Sequence, residues 1–290
     1  MVPLAQLAPE VLLERGEHDV LLLQLPPSLR GKAGTVGEVE AKRFQLALDS
    51  IPFLSEGTKS FEDLTRWAYN VVHTRYHETP GGDYCLVPMA DYFNHGGTEV
   101  DVYIGYDEEG NCYAYSTRDV PAGQQLRLCY GDPTNPSQLL AKYGLLDESS
   151  PGTYCKWIAE EASSEMFDMG YPSRMLFYQD GSVSNEVWDV LLYDELGKAG
   201  NYQEQAAFYQ AHCSGDEGTK AGYHQRYFAR TLGALRSHVD YVLGELDELA
   251  TWQATKLDAG RHPRLPLIVR HNEFVRNTFE MVRQNLNAMG

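Results

Sequence analysis

The chain has 290 residues, 43% hydrophobic and 11% aromatic, enough apolar matter for one large core or two ordinary ones, and this excludes a chain too polar to fold. Twenty-four Lys and Arg stand against 41 Asp and Glu, a net charge of −17 that argues against nucleic-acid phosphate as partner and suits either a solubilising surface or a basic peptide. Cys85, Cys112, Cys129, Cys155 and Cys213 are odd in number without a C-x-x-C pair, and no stretch approaches the ~20 apolar residues of a membrane span, so the sequence reads as soluble and intracellular, with cytoplasm, nucleus and plastid all open.

Residues 1–56 alternate apolar patches, such as Val20 to Leu25, with Pro and Gly breakers; Glu38 to Ser50 predicts a short helix ending near Pro52. Ser60 before Phe61-Glu62-Asp63 is an expected N-cap. Phe61, Leu64, Ala68, Val71 and Val72 then keep helical spacing, and the last turn of that helix is expected to present Thr74-Arg75-Tyr76-His77 before Pro80-Gly81-Gly82. By itself an arginine there serves the helix dipole or a surface carboxylate more often than a ligand.

Tyr84 to Met89, Val100 to Tyr106, Cys112 to Ser116 and Gln125 to Cys129 read as strands, the middle two joined through a turn over Asp107 to Asn111. Pro121-Ala122-Gly123 is an expected tight turn in which Gly supplies a positive φ. Short strands with irregular links predict a folded β system and not a parallel βαβ array. Beyond Pro151-Gly152 the pattern turns helical: Trp157 to Met169, Glu186 to Leu196, Gln203 to His212, Tyr223 to Leu257 and Leu267 to Leu286. In the long run Leu232, Leu235, Val239, Val242, Leu243, Leu246 and Leu249 form one apolar stripe, whose ordinary meaning is core packing.

One ordered combination stands out between Leu86 and Leu145. Asn94-His95 follows an apolar strand, then come Pro121-Ala122-Gly123, Tyr130-Gly131 at a strand end, and Asn135-x-x-x-Leu139-Leu140-x-x-Tyr143-Gly144. Singly, each is a turn or a packed tyrosine; together they resemble the C-terminal half of a SET methyltransferase domain. The branch is that of the Rubisco large-subunit lysine methyltransferases and the actin-histidine methyltransferase. The resemblance implies an α+β fold: the C-terminal portion of a SET-type β fold with a helical insert, followed by an all-helical substrate-binding domain. The implied divisions are 1–56 for the insert remnant, 57–150 for the SET domain and 151–290 for the helical domain.

Carried over by position, the resemblance implies that Asn94, His95 and Arg75 bind S-adenosylmethionine, that Tyr130 is the catalytic tyrosine, and that Tyr143, Tyr76 and His77 line the channel of the target side chain. It implies no metal, and a protein partner presenting a lysine, or a histidine, in a basic segment. Ala90 stands before Asp91 where the histidine-modifying enzyme would be expected to carry a large aromatic, which favours lysine. Leu145 replaces the aromatic that stacks on adenine, and Gln124 replaces an acidic residue of the turn. The chain contains no Gly-x-Gly, so the N-terminal SET hairpin that wraps the cofactor has no counterpart in it. Two readings follow, a protein-lysine methyltransferase and a catalytically inert SET-like protein-binding module.

The chemistry agrees with such a residue set. Methyl transfer from a sulfonium is an in-line displacement, so the chief demand on the site is aim. A tyrosine oxygen orients the nitrogen nucleophile, and aromatic walls accept a cationic nitrogen at ~1–2 kcal/mol each in a dry site.

Overall fold

The computed structural model of the chain describes residues 46–97, 99–131, 136–159, 161–256 and 265–290. Most of the first 56 residues, residues 38–45 of the expected first helix, Asn135, Leu257 and His262 to Arg264 therefore lie outside the described residues. Residues 46–49 are helical and the chain turns at Ser50, where that first helix was expected to end. The chain falls into two units that part between Ser150 and Pro151.

The first unit is α+β. A short helix α1 (Glu56–Lys59) precedes α2 (Glu62–Arg75). Ser60 closes α1 as its C-cap and does not cap α2; Phe61 holds that place without a side-chain hydrogen bond. Phe61, Leu64 and Val72, which keep the helical spacing, are exposed. α2 also ends earlier than the sequence suggests. Tyr76 takes an extended conformation, and Tyr76–Glu78 forms β1, antiparallel to β2 (Tyr84–Leu86), with His77 opposite Cys85. The breaker Pro80-Gly81-Gly82 is thus a hairpin turn, closed by Thr79 N–H to Asp83 O at 2.8 Å with Gly82 at φ 82°. The expected strand through Met89 stops at Leu86, because Pro88 has no N–H to give a ladder and Met89 adopts a left-handed φ of 78° before a 3-10 turn at Ala90–Tyr92.

β3 (Asn94–His95) pairs parallel with β6 (Arg127–Leu128), while β4 (Val102–Tyr106) and β5 (Cys112–Ser116) form the expected antiparallel hairpin between them. One short pair is therefore parallel, in a system otherwise made of hairpins. Gly123 has φ 84° and Gln124 N–H reaches Pro121 O at 3.1 Å, as the tight turn requires. The Asp101 carboxylate, buried beneath β6, receives the Arg127 N–H and Nε at 3.0 Å and the Arg118 Nε at 2.9 Å, tying the start of β4 to both. α3 (Pro136–Tyr143) packs on α2.

The second unit is mainly helical. It opens with a hairpin the sequence did not announce, β7 (Gly152–Tyr154) against β8 (Leu176–Tyr178). Of the helix expected over Trp157 to Met169, only α4 (Ser164–Asp168) forms, with Ser163 Oγ accepting from Met166 N–H at 3.4 Å. Lys156 sits at φ 59°, which no α-helix accommodates, and Cys155 N–H still bonds Met175 O beside the hairpin. α5 (Asn185–Lys198), α6 (Tyr202–Ser214), α7 (Glu217–Lys256) and α8 (Leu265–Ala288) follow, all four longer than their apolar patterns suggested. The stripe from Leu232 to Leu249 is buried on α7, against which α5, α6 and α8 pack. Phe177 of β8 meets Phe279 of α8 edge-on at 4.9 Å, both fully buried, so the hairpin is sealed to the bundle by side chains each worth ~1.5–3 kcal/mol of transfer.

Candidate active site

The parallel pairing of β3 with β6 is what builds the site. It sets Asn94 against Arg127 and His95 against Leu128, two residues before Tyr130. The Tyr130 N–H then donates to His95 Nδ1 at 3.3 Å, and the other ring nitrogen, Nε2, lies 3.4 Å from Asp147 Oδ2. Both nitrogens of His95 are engaged, so the ring ties Asp147 to the backbone of Tyr130. Gly96 and Gly97 follow because the chain passes too closely for side chains: a Cβ on Gly96 would strike the Glu99 carbonyl, and one on Gly97 the Asp147 carboxylate. Asn94 is half-buried, and its carboxamide takes no hydrogen bond among the described residues.

The Tyr130 hydroxyl donates to the Phe93 carbonyl at 2.5 Å, which leaves the oxygen lone pairs to accept a further donor. Burial raises the Tyr130 phenol above its usual value; Arg75 pulls it back and Asp91 adds to the rise, so the hydroxyl stays protonated at neutral pH. Arg75, at the end of α2, places Nε 3.6 Å from Asp91 Oδ2 and gives an Nη1 hydrogen bond to Thr74 Oγ1 at 3.0 Å.

Tyr143, in the last turn of α3, donates its hydroxyl to the Tyr130 carbonyl at 3.1 Å, and the two rings lie 5.0 Å apart. Burial, and then the neighbouring Tyr76 and Tyr130, push its phenol up to about 12. Because α2 packs on α3, Tyr76 reaches the same region, where both it and Tyr143 face the Lys142 ammonium at 4.4 and 5.1 Å from their ring centres. His77 is drawn below its usual value by burial; Asp91 works upward and Lys142 downward, so this ring senses both charges. The site thus brings together Arg75, Tyr76, His77, Asn94, His95, Tyr130 and Tyr143, whereas Asn135 of the same sequence motif lies outside the described residues. It adds four that sequence reasoning passed over: the Phe93 carbonyl, Asp91, Lys142 and Asp147. None of these belongs to a recognisable spacing; only the hairpin that positions Tyr76 and His77 had a readable signal, the Gly-rich loop between Glu78 and Tyr84.

Among the described residues no group of three or more His, Cys, Asp or Glu could hold a metal ion, and no helix is long and apolar enough to cross a membrane. No protein-family model and no curated protein matches the sequence. Solved structures do. The SET domain of LSMT bound to lysine and AdoHcy superposes with a TM-score of 0.62 at 15% identity, over 95% of this chain and 66% of that one. Rubisco LSMT bound to AdoMet gives 0.61 at 16% identity over 94% and 66%, and the LSMT SET domain with methyllysine and AdoHcy gives 0.60 at 16% over 96% and 67%. The chain has the fold of these SET-domain proteins. It spans about two thirds of their length. Within this SET-type fold, α2, the β3–β6 pair and α3 are the elements that converge on Tyr130.

Proposed function

We propose that the chain is an S-adenosylmethionine-dependent protein methyltransferase acting on lysine. The observation that carries this reading is the convergence on Tyr130: its hydroxyl is oriented by the Phe93 carbonyl, its backbone by His95 and Tyr143, and its surroundings are charged by Arg75 and Asp91. The structures that share the fold bind lysine, methyllysine, AdoMet or AdoHcy, which supports the same chemistry.

The donor set suits such a cofactor. Arg75 offers a guanidinium to a carboxylate, while the open Asn94 carboxamide and the His95 main chain offer polar contacts to the amino-acid end. When bound, the cofactor supplies an electrophilic methyl group on a sulfonium. Tyr130 would accept a hydrogen bond from the target amine through its free lone pairs and hold that nitrogen on the displacement axis. Tyr76 and Tyr143 would take the cationic side chain between their faces, as they take Lys142 here. A net charge of −17 favours arrival of a basic segment.

The test is calorimetric titration of the full 290-residue chain with S-adenosylmethionine, followed by transfer of labelled methyl to lysine-bearing basic peptides. Saturable binding at one site with transfer to lysine is the expected result. A well-folded chain that takes up no cofactor would overturn the reading in favour of an inert protein-binding module, and transfer to histidine would correct the acceptor.

A further inference from the structure

Lys142 is the unexpected occupant of the site. It sits on α3 between the residues that carry the apolar contacts of that helix and Tyr143, and its side chain does not run out to solvent as a helical lysine normally does. Its Nζ lies 4.4 Å from the centre of the Tyr76 ring and 5.1 Å from that of Tyr143. These are the two aromatic walls assigned above to the target side chain, and Tyr143 is itself bonded to the backbone of Tyr130. A cation facing two aromatic rings, one of them hydrogen-bonded to the Tyr130 backbone, is what a substrate lysine would be.

We propose that Lys142 is a methyl acceptor, so that the chain modifies itself at this residue. The proposal rests on the methyltransferase reading and deepens it by naming a substrate. The step balances as follows. The Lys142 ammonium first yields one proton to water; burial favours this by holding its pKa below the usual lysine value. The Nζ lone pair then forms the N–C bond to the methyl group as the C–S bond breaks, its electron pair staying on sulfur. The products are a methylammonium at Lys142 and a neutral thioether. Since donor and acceptor belong to one chain, the rate per molecule is independent of protein concentration.

The experiment is mass spectrometry of the intact chain and of its Lys142 peptide after incubation with S-adenosylmethionine, with cofactor binding measured by calorimetry on the same sample. Expected is a mass gain of one or more methyl groups confined to Lys142, first-order in protein, absent in Lys142→Arg, and about five-fold slower in Tyr76→Ala, the loss of one cation–π wall. Cofactor binding with no gain at Lys142, or a gain that grows with protein concentration, overturns the proposal and leaves the methyltransferase reading standing. Absence of binding overturns both.

Discussion

Replacing Tyr130 with phenylalanine isolates one hydroxyl. The ring contacts with Tyr143 at 5.0 Å and His95 at 5.5 Å survive in Tyr130→Phe, as do the backbone bonds to His95 Nδ1 and from the Tyr143 hydroxyl. Only the 2.5 Å bond to the Phe93 carbonyl is lost. A neutral, half-buried hydrogen bond is worth about 1 kcal/mol, so thermal unfolding should shift down by ~2–4 °C for a unit of this size. If the hydroxyl also orients the target amine, methyl transfer should fall ~100-fold or more, the cost of removing one positioned polar group. Affinity for S-adenosylmethionine should change by less than about two-fold, because the proposed cofactor contacts are Asn94, Arg75 and the His95 main chain. Calorimetry, a labelled-methyl assay and differential scanning read the three quantities separately. Parallel loss of turnover and cofactor affinity would make Tyr130 a structural tyrosine, and unchanged turnover would remove it from the chemistry.

Other substitutions test the architecture. Gly97→Ala combines a left-handed φ of 55° with a collision against the Asp147 carboxylate, whereas Gly110 has φ 84° in open space; Gly97→Ala should therefore cost more in denaturant unfolding than the ~1 kcal/mol of Gly110→Ala, and equal costs would refute the packing of Asp147 behind His95. Phe279→Ala should destabilise the helical unit by ~3–5 kcal/mol, since the ring is fully buried against Phe177, and a loss under 1 kcal/mol would contradict that contact. His271 is held down to about 3 by burial and then by the Lys156 ammonium, with Asn272 acting the other way. Its folded pKa lies below the unfolded value of ~6.5, so the unfolded state binds the proton first and stability falls as pH drops from ~6.5 towards 3, by up to ~1.4 kcal/mol per pH unit. His271→Gln should flatten that slope in urea titrations at pH 4–7; an unchanged slope would mean the ring is already solvated.

Tyr130 was readable because it follows the strand expected over Gln125 to Cys129, whereas Asn94-His95 and Tyr143 stood out only as members of an ordered combination. The long helices were readable for a related reason. α7 buries one stripe, and a stripe recurring every three or four residues is a local property of sequence. What failed were features set by distant partners. The helix expected over Trp157 to Met169 shrank to α4 behind an irregular stretch, because Gly152 to Tyr154 finds its mate at Leu176 to Tyr178 and Lys156 then takes a left-handed φ. Asn94-His95 became a strand through pairing with residues 33 positions further on, a register no local pattern encodes.

The same division runs through the chemistry. Sequence by itself determined the inventory: a fold of short strands followed by helices, a candidate orienting tyrosine, an arginine at a helix end, and an excess of acidic residues. Only the tertiary structure decided what each group faces. It turned both nitrogens of His95 towards the Tyr130 N–H and Asp147, brought Asp91 to Arg75, and laid Lys142 between Tyr76 and Tyr143. Side-chain identity is carried by the chain one residue at a time, whereas hydrogen bonds, ion pairs and cation–π contacts require atoms within a few ångströms, and that proximity exists only once α2, β3, β6 and α3 have packed.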